Sequence, residues 1–154
     1  MTEAAETDAV RARLETYVGK PMGPPSLAPD PVNLPMIRHW VAALYAVLAQ
    51  GGRRDDFSLV SRDTLVQATT PTNREGEMDG TIRFPIRWGL GFHMGMHGKG
   101  STLRTFGHAG AGGQTGFADP DRELAFAFVT NGELSPDFQL WRYRLQSLAF
   151  EACR

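Results

Sequence analysis

The sequence predicts an α+β fold, in which an antiparallel sheet is covered by a C-terminal helix and preceded by two helices joined by a proline-rich arm. Three observations carry that prediction. Bulky and small residues alternate in two stretches of the second half, "WGLGFHMGM" (88–96) and "LAFAFV" (124–129), the period-2 signature of strands with unlike faces. Apolar residues recur at helical spacing, with capping residues at the ends, in segments near both ends of the chain. Between the first two helical segments, "KPMGPPSLAPDPVNLP" carries prolines at 21, 24, 25, 29, 31 and 35, which excludes helix and central strand and favours extended chain.

Taken in order, residues 8–18 place Val10, Leu14, Tyr17 and Val18 on one helical face, with Thr7 as a cap and Gly19 and Pro21 as the stop. After the arm, Asn33 and Pro35 open a second helix carrying Met36, Ile37, Trp40, Val41, Leu44, Tyr45 and Leu48, and Gly51-Gly52 end it. The chain is then polar and broken up to Thr81, apart from a short helix predicted over 61–69 with Ser61 as its N-cap. The 88–96 stretch reads as one strand, with Trp88, Leu90, Phe92, Met94 and Met96 on a packed face and Gly89, Gly91, His93 and Gly95 on a nearly bare one. "TFGHAGAGGQTGFADPDRELAFAFVTNG" predicts a glycine-rich strand, a tight turn at Asp119-Pro120-Asp121-Arg122 and a second antiparallel strand. In that second strand Leu124, Phe126 and Phe128 oppose Ala125, Ala127 and Val129. Ser135 and Pro136 start the final helix, whose apolar stripe is Phe138, Trp141, Leu145, Leu148 and Ala149.

Length and composition narrow the function classes. A chain of 154 residues fits one modest core, and a formal charge of −1 with a pI near 6.4 offers no basic footprint for nucleic acid. The Arg53-Arg54 pair is followed at once by Asp55-Asp56. Cys153 is the only cysteine, so no internal disulfide forms, and the acidic start "MTEAAETDAV" lacks the charge and apolar run of a signal peptide. Both features predict a reducing cytoplasm. The longest apolar run, residues 40–49, is half the ~20 residues needed to span a bilayer, so no membrane partner is expected.

The five glycines from Gly107 to Gly116 raise the question of a phosphate cradle. Such a loop needs a following helix to hold the anion, and a strand pattern follows instead. No G-x-x-x-x-G-K-[ST] or complete G-x-G-x-x-G occurs, and no cofactor is expected. His93 and His97 do not predict a metal site, because four residues of strand span ~13 Å; they read as surface or loop-end histidines. His39 reads as a half-buried or solvated helix residue, and Glu75, Glu77 and Asp79 as a solvated acidic loop. His108 stands apart. Flanked by Gly107 and Gly110 on a strand, it sits over bare backbone where a ligand can approach, although the same glycines also suit close packing of a helix or strand.

"RWGLGF", then "FGHAGAGGQTGFADPDRELAFAFVTN", then a C-terminal amphipathic helix resembles the last third of the serine β-lactamase-like family of class C β-lactamases, penicillin-binding proteins and related carboxylesterases. "ALYAVLAQGG" and "FSLVSRDTLVQATTP" are similar to the helices leading into that region, so the resemblance runs over residues 41–154 and implies a partial β-lactamase-like fold. It matches His108, Ala109 and Gly110 to the His-x-Gly form of the family's third active-site motif. By that match His108 faces the cleft and supports the proton network, Ala109 and Gly110 line the substrate side, and the Ala111 backbone N–H gives half of an oxyanion hole. Histidine and alanine in place of Lys-Thr imply a small neutral ester as substrate rather than a β-lactam or peptide. The other two motifs are missing: no serine has lysine three residues on, and Tyr17, Tyr45 and Tyr143 are not followed by x-Asn or x-Ser. Ser101 comes nearest, but Arg104 stands where lysine is needed, and arginine is no general base. Residues 17–44, "YVGKPMGPPSLAPDPVNLPMIRHWVAAL", resemble instead the opening of MaoC-like and FAS1-like acyl-CoA dehydratase domains, without their chemistry. The implied organisation is a dehydratase-like stretch over 1–40 and a β-lactamase-like region over 41–154. A weak or inactive hydrolase is one implied function. A non-catalytic module is the other, pairing through exposed apolar surface with a second copy, a partner subunit or a dehydratase assembly.

Overall fold

The computed structural model describes residues 34–110, 113–130 and 136–153. The helix predicted over 8–18 and the proline-rich arm lie outside the described residues. Helix α1 (Leu34–Ala49) ends at Gly51 and Gly52, which hold positive φ of 80° and 85°, the turn conformation that glycine adopts without strain. A two-residue hairpin follows, β1 (Arg53–Arg54) against β2 (Phe57–Ser58), with the Asp55-Asp56 pair in its turn. Helix α2 (Arg62–Ala68) starts as expected, the Ser61 hydroxyl accepting the Thr64 N–H at 3.1 Å.

The main sheet is antiparallel in the order β3 (His93–Met94), β4 (Phe106–Ala109), β5 (Thr115–Asp119), β6 (Leu124–Phe128), and helix α3 (Pro136–Ala152) closes the chain. Neighbouring residues of β5 point to opposite faces. A Cβ at Gly116 would run into the Tyr45 ring and Val41, so α1 lies on that face. Phe117 stacks on Phe150 at 5.2 Å, so α3 lies on the other. The alternation in β6 serves the same division, since Ala118 and Ala125 let α1 approach while Phe126 stacks on Phe117 at 5.1 Å. The core under α1 gathers Tyr45, Leu48, Leu65, Met94 and Phe106.

Three expectations are corrected. Residues 88–96 are not one strand: Gly89 N–H donates to Phe92 C=O at 2.8 Å, Trp88 bridges to His93, and only His93 and Met94 join the sheet. Gly91 and Gly95 at positive φ turn the chain twice, so Leu90 and Met96 of the predicted packed face are exposed while His93 is buried. The glycine-rich stretch is two strands, because Gly110 N–H donates to Gln114 C=O at 2.8 Å and closes a hairpin between β4 and β5. The turn predicted at 119–122 is present, with Asp119 as the last residue of β5 and its Oδ1 accepting the Asp121 N–H at 3.0 Å. Finally, Trp141, Leu145 and Leu148 of the predicted stripe of α3 face outward, 58%, 43% and 50% exposed, whereas Gln146 and Phe150 are buried. Gln146 is accepted inside because its Nε2 reaches the Thr115 hydroxyl at 3.3 Å. No described helix is long and apolar enough to cross a membrane.

Candidate active site

His108 is the exposed residue of β4, and both layers of the fold hold its main chain. From the α3 side, Gln146 donates to the Thr115 hydroxyl, which donates to the His108 carbonyl at 3.3 Å. From the α1 side, the Tyr45 ring packs against Gly116, the residue paired with His108, and burial raises the Tyr45 pKa while the nearby His108 backbone partly offsets the rise. Gly107 is required beside it, because a Cβ there would enter the Gly116 carbonyl and the Phe117 main chain. Ala109 is half-buried and Gly110 exposed, so the His-x-Gly segment presents its second half to solvent. Ala111 lies outside the described residues.

The backbone around His108 is not bare, as the glycine pattern predicted. The His93 ring lies 4.2 Å from the His108 ring and 4.5 Å edge-on from Trp88, and Trp88 lies 6.2 Å from His108, so the three rings form one cluster. Trp88 is fixed in turn by the loop before it. Its N–H donates to Asn73 Oδ1 at 2.9 Å and its Nε1 to Asp79 Oδ2 at 3.0 Å, while Asp79 Oδ1 accepts the N–H groups of Thr81 and Ile82. Those backbone bonds lower the Asp79 pKa. Asp79 is thus the organiser of this loop rather than a solvated acid, which corrects the sequence expectation.

His93 and His97 are 8% and 1% exposed, not surface residues. The turn through Gly95 returns the chain so that His97 Nε2 meets the His93 carbonyl at 3.0 Å, and the His97 ring stacks on Phe117 at 5.1 Å. Burial pushes the His93 pKa down to about 4, helped by repulsion from His108 and His97 and opposed by Asp79. Burial lowers His97 as well. Near neutral pH His93 is therefore an uncharged ring against which His108 stands. Among the described residues, no group of three or more His, Cys, Asp or Glu is arranged to hold a metal ion. His39 is exposed on α1.

Ser101, the serine nearest to the nucleophile motif, is a loop clamp. Its Oγ lies 2.8 Å from the Gly95 carbonyl and 2.9 Å from the Gly98 carbonyl, and it also accepts the His97 N–H. Ser61 caps α2, and Ser147 Oγ donates to the Tyr143 carbonyl at 2.8 Å. Tyr45, Asn73, Asp79, His93, Thr115 and Gln146 all support the site, and none was singled out for that role by sequence. Each acts through a partner 7 to 71 positions away, so no local spacing marks it.

A sheet between two helices, with a His-x-Gly segment exposed at the end of an inner strand, defines a β-lactamase-like body. The chain belongs to the Beta-lactamase family, whose match runs over residues 2–150. It is 39% identical over 98 residues to the esterase/β-lactamase LipL of Mycobacterium tuberculosis, covering 62% of this chain and 22% of that protein. A 32-residue stretch, 21% of this chain and 10% of the relative, is 56% identical to a probable enoyl-CoA hydratase alpha subunit of Thermomonospora curvata. Among solved structures, a penicillin-binding protein homologue from Caulobacter crescentus superposes with a TM-score of 0.60 at 32% identity, over 75% of this chain and 31% of that one. A family VIII carboxylesterase gives 0.59 at 25% identity with the same coverage. The chain thus spans about a third or less of the length of these relatives.

Proposed function

We propose that this chain supplies the His-x-Gly wall of an esterase-type serine hydrolase site and has little or no activity by itself. The observation that carries this reading is the exposed His108, its carbonyl held through Thr115 by Gln146 of α3, in a sequence where no serine is paired with a lysine three residues on. In the proposed reaction a small neutral ester lies along Ala109 and Gly110, the backbone N–H of Ala111 stabilises the developing oxyanion, and His108 relays a proton. The serine is brought by a partner chain or a second copy. His-Ala in place of Lys-Thr leaves no fixed cation for a substrate carboxylate, which favours esters over β-lactams. The test is intact-mass analysis after treatment with a fluorophosphonate, alongside hydrolysis of a short-chain p-nitrophenyl ester. No adduct and no turnover is the expected result. A stoichiometric adduct on one serine, lost in His108→Ala, overturns it and makes the chain an esterase in its own right.

A second reading, an interaction module, is favoured by the outward apolar residues of α3, where Trp141, Leu145 and Leu148 lie exposed within about two turns. Concentration-dependent self-association, or copurification with a dehydratase subunit of the kind the 32-residue likeness suggests, would support it. A monomer at all concentrations, with no bound subunit, counts against it.

A further inference from the structure

On the α1 side of the sheet, a cleft of about 850 Å³ opens between the C-terminal end of α1, helix α2 and the start of β4. Neither His93 nor His108 lines it. Its floor is apolar and buried, formed by Leu65, Met94 and Phe106, which are 7%, 1% and 2% exposed. Its walls carry Val66 and Leu103, each 56% exposed, so the apolar surface continues from the core out to solvent. The volume lies within the ~300–1,000 Å³ typical of small-molecule sites.

The charge on this cleft has one sign. The charged side chains that line it are Arg53, Arg62 and Arg104, and no carboxylate does. Arg104 donates to Asp121 at 2.6 Å, while Arg53 and Arg62 form no ion pair among the described residues. The neighbouring hydroxyls are already used: Thr69 Oγ1 donates to the Leu65 carbonyl and Thr70 Oγ1 to the Val66 carbonyl. The cleft is shaped for an aliphatic group on its floor and an anion at its arginines. A guanidinium fork matches the paired oxygens of a carboxylate or a phosphate, and a carboxylate is the head group tested on this aliphatic floor.

We propose that this cleft binds a medium-chain aliphatic carboxylate, with the tail over Leu65, Met94 and Phe106 and the head group at the arginine rim. The site is separate from the His-x-Gly wall, and its failure would leave the hydrolase reading untouched. The test is calorimetric titration of the full chain with sodium dodecanoate below its micelle concentration, with amide shifts followed by NMR. One saturable site is expected, with shifts at the end of α1, in α2 and around Leu103. Each methylene removed from the ligand should weaken binding about fourfold. Dodecylammonium should bind at least tenfold more weakly. Joint replacement Arg53→Ala and Arg62→Ala should weaken dodecanoate about tenfold, and because both side chains are exposed the variant keeps the wild-type fold. The proposal is overturned by equal binding of the ammonium ligand, by unchanged affinity in the double variant, by shifts centred elsewhere, or by no saturable binding. Nuclear Overhauser contacts from residues 1–33 into the cleft would overturn it too, since the chain would then be its own occupant.

Discussion

The two helices that enclose the sheet pack against it by different physics. Under α1 the sheet offers Gly116, Ala118 and Ala125, so the helix comes close and fills the space with Tyr45 and Val41. Under α3 it offers an aromatic layer, Phe117 between His97, Phe126 and Phe150, together with a buried polar link from Gln146 to Thr115. The first interface is set by what is missing from the side chains, the second by what they stack on and bond to. The contrast explains why the apolar stripe of α1 is largely buried as its pattern predicts, whereas that of α3 is left outside.

The largest effect expected is at the centre of the aromatic layer. Phe117→Ala removes a ring that touches three others and should cost about 3–5 kcal/mol in urea unfolding, as for other buried phenylalanines. A loss below ~1 kcal/mol would mean that α3 is not docked through Phe150. Next comes Gly116→Val, which drives a branched side chain into Tyr45 and Val41 and should cost about 1–3 kcal/mol or more by overpacking. A neutral result would show that α1 is free to shift away from the sheet.

Acidification distinguishes the interfaces by charge. His93 takes its proton near pH 6.5 in the unfolded chain but only near 4 in the fold, so the unfolded state binds more protons between those values. Stability is full above pH 6.5 and falls as the pH drops toward 4, by at most ~1.4 kcal/mol per unit for this group. His97 adds a slope of the same sign. Urea midpoints measured across this range should fall on acidification, and His93→Phe should flatten part of the slope. An unchanged slope in that variant would place the titration elsewhere. The smallest effect is expected on the outer side of α3, where Trp141→Gln should change stability by no more than about 0.5 kcal/mol while reducing any self-association. A large loss would mean the stripe is covered in solution.

Much of the fold was legible because it rests on neighbours in the chain. Ser61 caps α2 through a partner three residues on, Gly51 and Gly52 stop α1, and the alternation of 124–128 marks β6 with its faces correctly unlike. The 88–96 stretch misled because glycine fits an extended strand and a turn equally, and only the pairing of Trp88 with His93 shows which was chosen. In the site, the sequence singled out His108, the exposed residue of the segment. It gave no sign that His93 stands beside it, that Asp79 anchors Trp88, or that Gln146 steadies Thr115 from 31 positions away.

By itself, the sequence determined the α+β class, the Ser61 cap of α2, the glycine stop of α1 and the Asp119 turn, since each depends on steric preferences and hydrogen bonds a few residues apart. Tertiary structure alone decided which side of α3 is buried, how the glycine-rich stretch folds back on itself, and why two histidines lie uncharged beneath an exposed third. Burial is a property of surfaces that meet from distant parts of the chain. A glutamine goes inside and a tryptophan stays out when the partner across the gap is a threonine hydroxyl rather than an apolar groove.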